Sequence, residues 1–122
     1  MELQIVDYAI EHVEALRDIY TLGRRHAFPW VAPQTYQPAD FERDTIGEKI
    51  WVALSRQTVV GFISCWEADN FFHCLYVKPG FHRAGIGKAL LQVGLDHTGQ
   101  RATLKCVTAN TNAIAFYQKL GW

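Results

Sequence analysis

The residues best suited to chemistry lie in one run, Leu75-Tyr76-Val77-Lys78-Pro79-Gly80-Phe81-His82-Arg83-Ala84-Gly85-Ile86-Gly87-Lys88. Leu75, Tyr76 and Val77 read as the end of a strand. Pro79 lacks an N–H and Gly80 tolerates unusual backbone angles, so the strand stops there. Beyond Gly85, the apolar residues Ile86, Leu90 and Val93 share one helical face. A strand, a glycine-containing loop and a helix N-terminus make an anion site. The first N–H groups of the helix have no internal partner, and the macrodipole places partial positive charge there. Glycines let the backbone approach a phosphate closely. Two other phosphate loops are excluded. Gly80 and Gly85 have P-loop spacing, but Ile86-Gly87-Lys88-Ala89 stands where Gly-Lys-Ser/Thr is needed. A dinucleotide fingerprint counted from Gly85 would put its third glycine at Leu90, and no early βαβ unit precedes it.

This loop resembles the acetyl-CoA loop of the GNAT superfamily of acetyl-CoA-dependent N-acyltransferases, patterned as Gln or Arg, two residues, Gly, any residue, then Gly or Ala. Gly85, Ile86 and Gly87 match its second half. His82 occupies the first position, a departure, with Arg83 one place along. The end of the chain carries the resemblance independently. Asn110-x-x-Ala113-Ile114-x-Phe116-Tyr117-x-x-x-Gly121-Trp122 is similar to the family's second cofactor motif, which usually closes on Gly-Phe. Two motifs in the right order, joined by one helix and one strand, are more specific than either. The resemblance covers about residues 50–122 well and the earlier part in outline.

The resemblance implies an α/β (α+β) fold with a mixed, mostly antiparallel central sheet flanked by helices. It implies an acyltransferase that moves an acetyl group from acetyl-CoA, its cosubstrate, to a primary amine by direct attack. The implied cofactor contacts are Leu75, Tyr76 and Val77 on the strand, then His82, Arg83, Ala84, Gly85, Ile86, Gly87 and Lys88 on the loop, then Asn110 and Tyr117. Asn110 would bond the pantetheine arm or order a helix start. Tyr117 would protonate the leaving CoA thiolate, or belong only to an apolar stripe. A phenol near pKa ~10 can serve a thiol near ~8.5 with a small uphill step. A backbone N–H from about Leu75 to Val77, at a bulge in many relatives, would hold the oxyanion. The general base departs from the family pattern. Many relatives carry a Glu early in this strand, and Phe71 stands at about that position. Glu67, at the end of the preceding strand, is the first candidate, with a solvated strand end as its alternative reading. His73, expected on the same strand face as Leu75 and Val77, is the second, with a satisfied sheet histidine as its alternative. An imidazole near pKa ~6.5 suits proton removal. The competing reading of the whole chain is a non-catalytic acyl-CoA-binding module.

These groups need a scaffold, and the patterning predicts one. Residues 3–6 read as a strand and residues 10–22 as a helix, with Ile10, Val13, Leu16 and Tyr20 near one face. Arg24, Arg25 and His26 fall near its C-terminus, either as solvated charges that suit the dipole or as contacts to an acidic ligand. Residues 27–38 form a loop rich in proline and aromatics, in which Trp30 packs on substrate or covers the core edge. A short helix is expected over residues 40–47. Residues 50–56 and 59–66 read as a hairpin joined at Gln57-Thr58, with a turn at Asp69-Asn70 and a third strand over 71–77. A helix over 85–98, a strand over 103–108 and a helix containing Ala113, Phe116, Tyr117 and Leu120 complete the order.

At 122 residues the chain suits one domain, here an N-acetyltransferase-like domain over residues 1–122. The formal net charge of zero offers no electrostatic case for nucleic acid or an anionic membrane, and neither is expected as a partner. No leader or membrane span is expected, because charges interrupt every apolar run. Cys65, Cys74 and Cys106 lack zinc or redox spacing and read as reduced core thiols in the cytoplasm, with no metal expected. The expected partner is a small-molecule or peptide amine, received between residues 28–38 and the strand ends near Glu67. Relatives usually continue past the Gly-Phe with one or two strands, whereas this sequence ends at Trp122. The expectation is a C-terminally truncated domain or a homodimer that covers the exposed edge.

Overall fold

The computed structural model describes residues 2–81, 85–99 and 103–104. Strand β1 (Leu3–Asp7) leads through a single 3-10 turn, Ile10–His12, into helix α1 (Val13–Ala27). The helix therefore runs beyond the expected Leu22 and takes in Arg24, Arg25 and His26. A second 3-10 turn, Pro33–Thr35, and helix α2 (Asp40–Thr45) precede the meander of β2 (Lys49–Ser55), β3 (Thr58–Trp66) and β4 (Phe71–Val77). Helix α3 (Ile86–Thr98) and strand β5 (Thr103–Leu104) follow. The sheet order is β1-β2-β3-β4-β5. The first four strands are antiparallel, and β5 joins β4 in parallel at Phe71 and Phe72. The mixed, mostly antiparallel sheet flanked by helices is the expected one. The rest of the expected last strand, the final helix and Cys106 lie outside the described residues. No helix among those described is long and apolar enough to cross a membrane.

The β2–β3 hairpin turns one residue earlier than the sequence suggested, at Arg56-Gln57. Both residues have positive φ, 50° and 69°, which gives the two-residue connection a twist that matches its strands. Ser55 pairs with Thr58, and a bulge at Val60 shifts the register between Ala53 and Leu54.

Each face of the sheet buries its own core. On the α3 side, Trp51, Ala53, Ile63, Cys65 and Phe72 pack with Ile86, Leu90 and Leu91, and Leu75 and Val77 join them. On the α1 and α2 side, Ile50, Val52, Phe62 and Cys74 pack with Leu16, Ile19, Tyr20 and Phe41, and Tyr76 joins them. Helix α1 lies close on β4 because it carries Gly23. A Cβ there would stand 2.3 Å from Tyr76 Cδ1. Tyr20 and Phe62 flank that ring at 5.5 and 6.0 Å, so it has no room to swing aside.

Arg24 is not the solvated charge that its place near the helix end suggested. Its side chain is 9% exposed and forms ion pairs with Asp40 at 3.2 Å and Asp44 at 3.7 Å. Its guanidinium lies 3.8 Å from the Tyr20 ring centre and 4.7 Å from that of Tyr36. Arg25 donates to the Pro33 and Tyr36 carbonyls at 2.9 and 3.0 Å. The two arginines thus tie the loop after α1 back onto the helix. The Gln37 N–H, with Arg43 and Arg24 nearby, holds the Asp40 carboxyl below its usual range. Burial pushes Asp44 up, but hydrogen bonds from Arg43 and Tyr20 outweigh it and leave it lowered too.

Two predictions follow from this packing. Gly23→Ala should lower stability by about 1–3 kcal/mol, because the clash with Tyr76 exceeds the ~1 kcal/mol that alanine gains in a helix. A rise in thermal midpoint would refute the close approach. Arg24→Ala should cost about 1–3 kcal/mol in urea unfolding at neutral pH, since Asp40 and Asp44 lose their buried partner but keep Arg43. Both carboxyls are depressed in the fold, so their contribution is full above the ordinary aspartate range and is lost as pH falls through the lowered values. The gap between wild type and Arg24→Ala should therefore narrow in acid.

Candidate active site

The site is built on an irregularity in β4. Ser64 pairs with Cys74 and Cys65 with Phe72, which leaves His73 as an extra residue on β4. Such a bulge interrupts the alternation of side chains. Phe72 and Leu75, three apart, both pack on the α3 side. His73 and Cys74 turn to the other side, where Cys74 enters the α1 core. This corrects the expectation that His73 shares a face with Leu75 and Val77, which assumed unbroken alternation.

On that side His73 meets Glu48, which lies just before β2. The His73 Nδ1 to Glu48 Oε2 distance is 2.8 Å. The Glu48 side chain is only 8% exposed, and among the described residues its Oε1 has no hydrogen-bond partner. The Phe71 ring stacks on the imidazole at 6.2 Å with 22° between planes. The Cys74 N–H donates to Ser64 Oγ at 3.1 Å, a side-chain anchor for the bulged segment. The nearby Cys74 sulfur and the hydrogen-bonded Glu48 carboxylate push its pKa up to about 10, against the opposing effect of burial. His73 thus holds its proton at neutral pH, where an ordinary imidazole would be mostly neutral.

The other sequence candidate lies elsewhere. Glu67 Oε2 is 2.6 Å from His97 Nε2, on the last turn of α3. The anion loop opens the first turn of that helix. Thirteen residues at 1.5 Å rise separate the two ends by roughly 18 Å. Glu67 thus pairs with His97 at the end of α3 remote from the anion loop, whereas His73 pairs with Glu48.

At the loop, Gly85 caps α3 in the left-handed region at φ 76°, and its carbonyl accepts the Ala89 N–H at 3.1 Å. A side chain there would be strained. Ile86 and Gly87 are buried and Lys88 is exposed. The side chains of Leu75 and Val77 pack toward α3, while Tyr76 sits in the aromatic cluster on the opposite face. What these three strand residues offer a ligand is then chiefly main chain. His82, Arg83, Ala84, Asn110 and Tyr117 lie outside the described residues. Trp30 is 58% exposed and touches Phe28 edge-on at 5.5 Å, so it is not a cover for the core. Of the expected core thiols, Cys65 and Cys74 are free and buried. Burial, with Glu67 and Glu48 nearby, pushes the Cys65 thiol up to about 11.

Glu48 was absent from the sequence reading. Only strand register finds it: Ile50 pairs with Ser64, and Ser64 with Cys74, so the start of β2 lies across β3 from His73. Counting back from a turn at Arg56-Gln57 gives that row only if the bulge at Val60 is also known.

Known proteins resemble this chain in sequence and fold. Residues 10–122 match the acetyltransferase (GNAT) family. A mycothiol acetyltransferase from Streptomyces avermitilis is 30% identical over 105 residues, which cover 83% of this chain and 31% of that protein. The chain thus spans about a third of the length of this curated relative. The crystal structure of the PaiA N-acetyltransferase of Thermoplasma acidophilum in complex with coenzyme A superimposes with a TM-score of 0.81 at 20% identity, over 99% of this chain and 89% of that one. The solution structure of apo YjaB from Escherichia coli gives 0.80 at 22% identity, over 99% and 82%. With the family matched along most of its length, on a fold whose bulged strand leads to a glycine-capped helix, the chain belongs to the GNAT family of acetyl-CoA-dependent acyltransferases.

Proposed function

We propose that this chain transfers an acetyl group from acetyl-CoA to a primary amine, with His73 as the general base and Glu48 as the residue that positions it. The observation that carries this reading is the half-buried His73–Glu48 pair at the bulge of β4. The family pattern expects a carboxylate on this strand. Here Phe71 takes that place and stacks on the imidazole, while the carboxylate comes from the neighbouring end of β2.

The chemistry follows from matched proton affinities. Raised to about 10, His73 is protonated at neutral pH and must first release that proton to solvent. The neutral imidazole then takes the proton of an alkylammonium acceptor near pKa ~10.4. Turnover should therefore rise as pH climbs toward the His73 value of about 10. The free amine attacks the thioester carbonyl. Main-chain N–H groups of β4 beyond the bulge, between Leu75 and Val77, receive the oxyanion, an effect of order 3 kcal/mol. The tetrahedral intermediate collapses, the C–S bond breaks, and Tyr117 gives its proton to the CoA thiolate. Gly85 and the first N–H groups of α3 hold the pyrophosphate, and exposed Lys88 adds charge beside them. The engagement of Glu67 by His97, and the carboxylate of Glu48 that orients the imidazole, favour His73 over Glu67 as base.

The acceptor approaches from the α1 side, the face that presents His73, with the exposed Trp30 available for stacking on it. The PaiA fold neighbour is an N-acetyltransferase, which supports nitrogen as the acceptor atom.

Acetyl-CoA at a hundredfold excess over its Kd should stabilise the protein by about 2.7 kcal/mol, and Gly85→Val should weaken that effect. No stabilisation would refute acetyl-CoA binding altogether. In an assay of thiol release with a panel of amines, His73→Ala should lower kcat by about 10²-fold or more while KM for acetyl-CoA stays within about twofold. Glu48→Gln should lose less, and Tyr117→Phe should slow the chemical step. Binding without turnover by any amine would leave an acyl-CoA-binding module. Turnover that survives His73→Ala would return the base to Glu67.

A further inference from the structure

We propose that Glu48, His73 and Cys74 form a binding site for a zinc-class divalent cation. One donor atom from each of the three, a carboxylate oxygen, an imidazole nitrogen and a thiol sulfur, lies within 4.8 Å of the other two. Tetrahedral zinc with bonds of about 2.0–2.3 Å holds neighbouring donors about 3.3–3.7 Å apart. The cluster needs only a slight contraction around sulfur and a slight opening of the 2.8 Å nitrogen–oxygen contact.

The backbone explains why these groups converge. Adjacent residues on a regular strand point to opposite faces. The bulge turns His73 and Cys74 to the same side, toward Glu48. A second observation points to a ligand. The Glu48 side chain is more than nine-tenths buried, yet among the described residues its Oε1 accepts no hydrogen bond. A buried carboxylate oxygen without a partner is costly, and a cation bound beside it removes that cost. The flanking contacts resemble those that orient metal ligands: Phe71 stacks on the imidazole, and Ser64 Oγ anchors the Cys74 main chain.

The donor set selects the ion. Thiolate and imidazole favour zinc and its neighbours over magnesium or calcium, which prefer oxygen alone. Binding replaces the proton between His73 and Glu48 and the proton of the Cys74 thiol, and both leave to solvent. Two negative ligands then balance the dication. Three protein ligands leave a fourth position for water or a small donor. The metal-bound and base forms of His73 exclude each other, because a cation on Nδ1 leaves Nε2 protonated. A metal titration reads the cation alone and does not depend on acetyl transfer.

The test uses the full chain, freed of metal by chelation and titrated with Co²⁺ as a visible substitute for zinc. One equivalent should produce tetrahedral d–d bands and a thiolate-to-cobalt charge-transfer band, both bleached by one equivalent of Zn²⁺. Cys74→Ser should abolish the charge-transfer band, whereas Cys65→Ser should retain it. Glu48→Gln should weaken Co²⁺ binding by about 10-fold or more. Should Cys74→Ser fail to fold, X-ray absorption of the zinc-bound wild type should still show one sulfur among nitrogen and oxygen ligands. Absence of the band at one equivalent, its survival in Cys74→Ser, or a zinc shell without sulfur would overturn the proposal.

Discussion

One extra residue in β4 governs the site. Without the bulge at His73, alternation along Phe71–Val77 would put His73 with Leu75 and Val77 under α3, in an apolar layer with nothing to receive its charge. With it, Phe72 and Leu75 both remain in that layer, while His73 and Cys74 turn toward Glu48. The sheet accommodates the irregularity because Ser64 Oγ accepts the Cys74 N–H. A polar side chain on β3 thus occupies a wholly buried position at 0% exposure, where an apolar residue would otherwise be expected.

The bulge would have little use if the elements over it could drift. Helix α1 is fixed to β4 by the missing side chain at Gly23, which lets the helix seat on the Tyr76 ring. It is fixed to α2 by the buried Arg24 between Asp40 and Asp44. A buried ion pair is weak evidence of net stability, since desolvation offsets much of the attraction. Its stronger effect is on geometry, because each unpaired alternative is costly. Arg24 and Arg25 together also set where the Phe28–Trp30 loop leaves the helix. The same contacts that close the core therefore shape the approach to the face carrying His73.

Features that depend on local pattern were legible in the sequence. The strand over 71–77 and the helix after Gly85 follow from period and punctuation, and a glycine before a helical run implies an open N-terminus wherever it occurs. Features that depend on pairing were not. The hairpin turn falls at Arg56-Gln57 because those two non-glycine residues accept positive φ, which no local rule ranked above Gln57-Thr58. Arg24 looked solvated because its sequence neighbours are charged. Its partners Asp40 and Asp44 lie across a proline-rich loop, and only the folded chain brings them near. Glu48 was missed for the same reason. It is 25 residues from His73 and carries no spacing motif. The bulge itself leaves no mark in residue type, since histidine and cysteine both fit a regular strand.

The Glu48 carboxylate also explains why this imidazole is suited to an amine. A carboxylate buried to this degree requires a positive charge beside it, and in the resting protein the His73 proton provides it. The Cys74 sulfur and Glu48 together raise the imidazole to about 10. Before His73 acts as a base this proton passes to solvent; Glu48 then faces a neutral ring and the pair is at its least stable. An incoming ammonium brings positive charge back to the site, and transfer of its proton restores the ion pair while it creates the nucleophile. The pair is therefore relieved by the same step that the reaction requires. An acceptor without a proton to give, an ester or a tertiary amide, would offer no such relief, and the electrostatics of the site select against it.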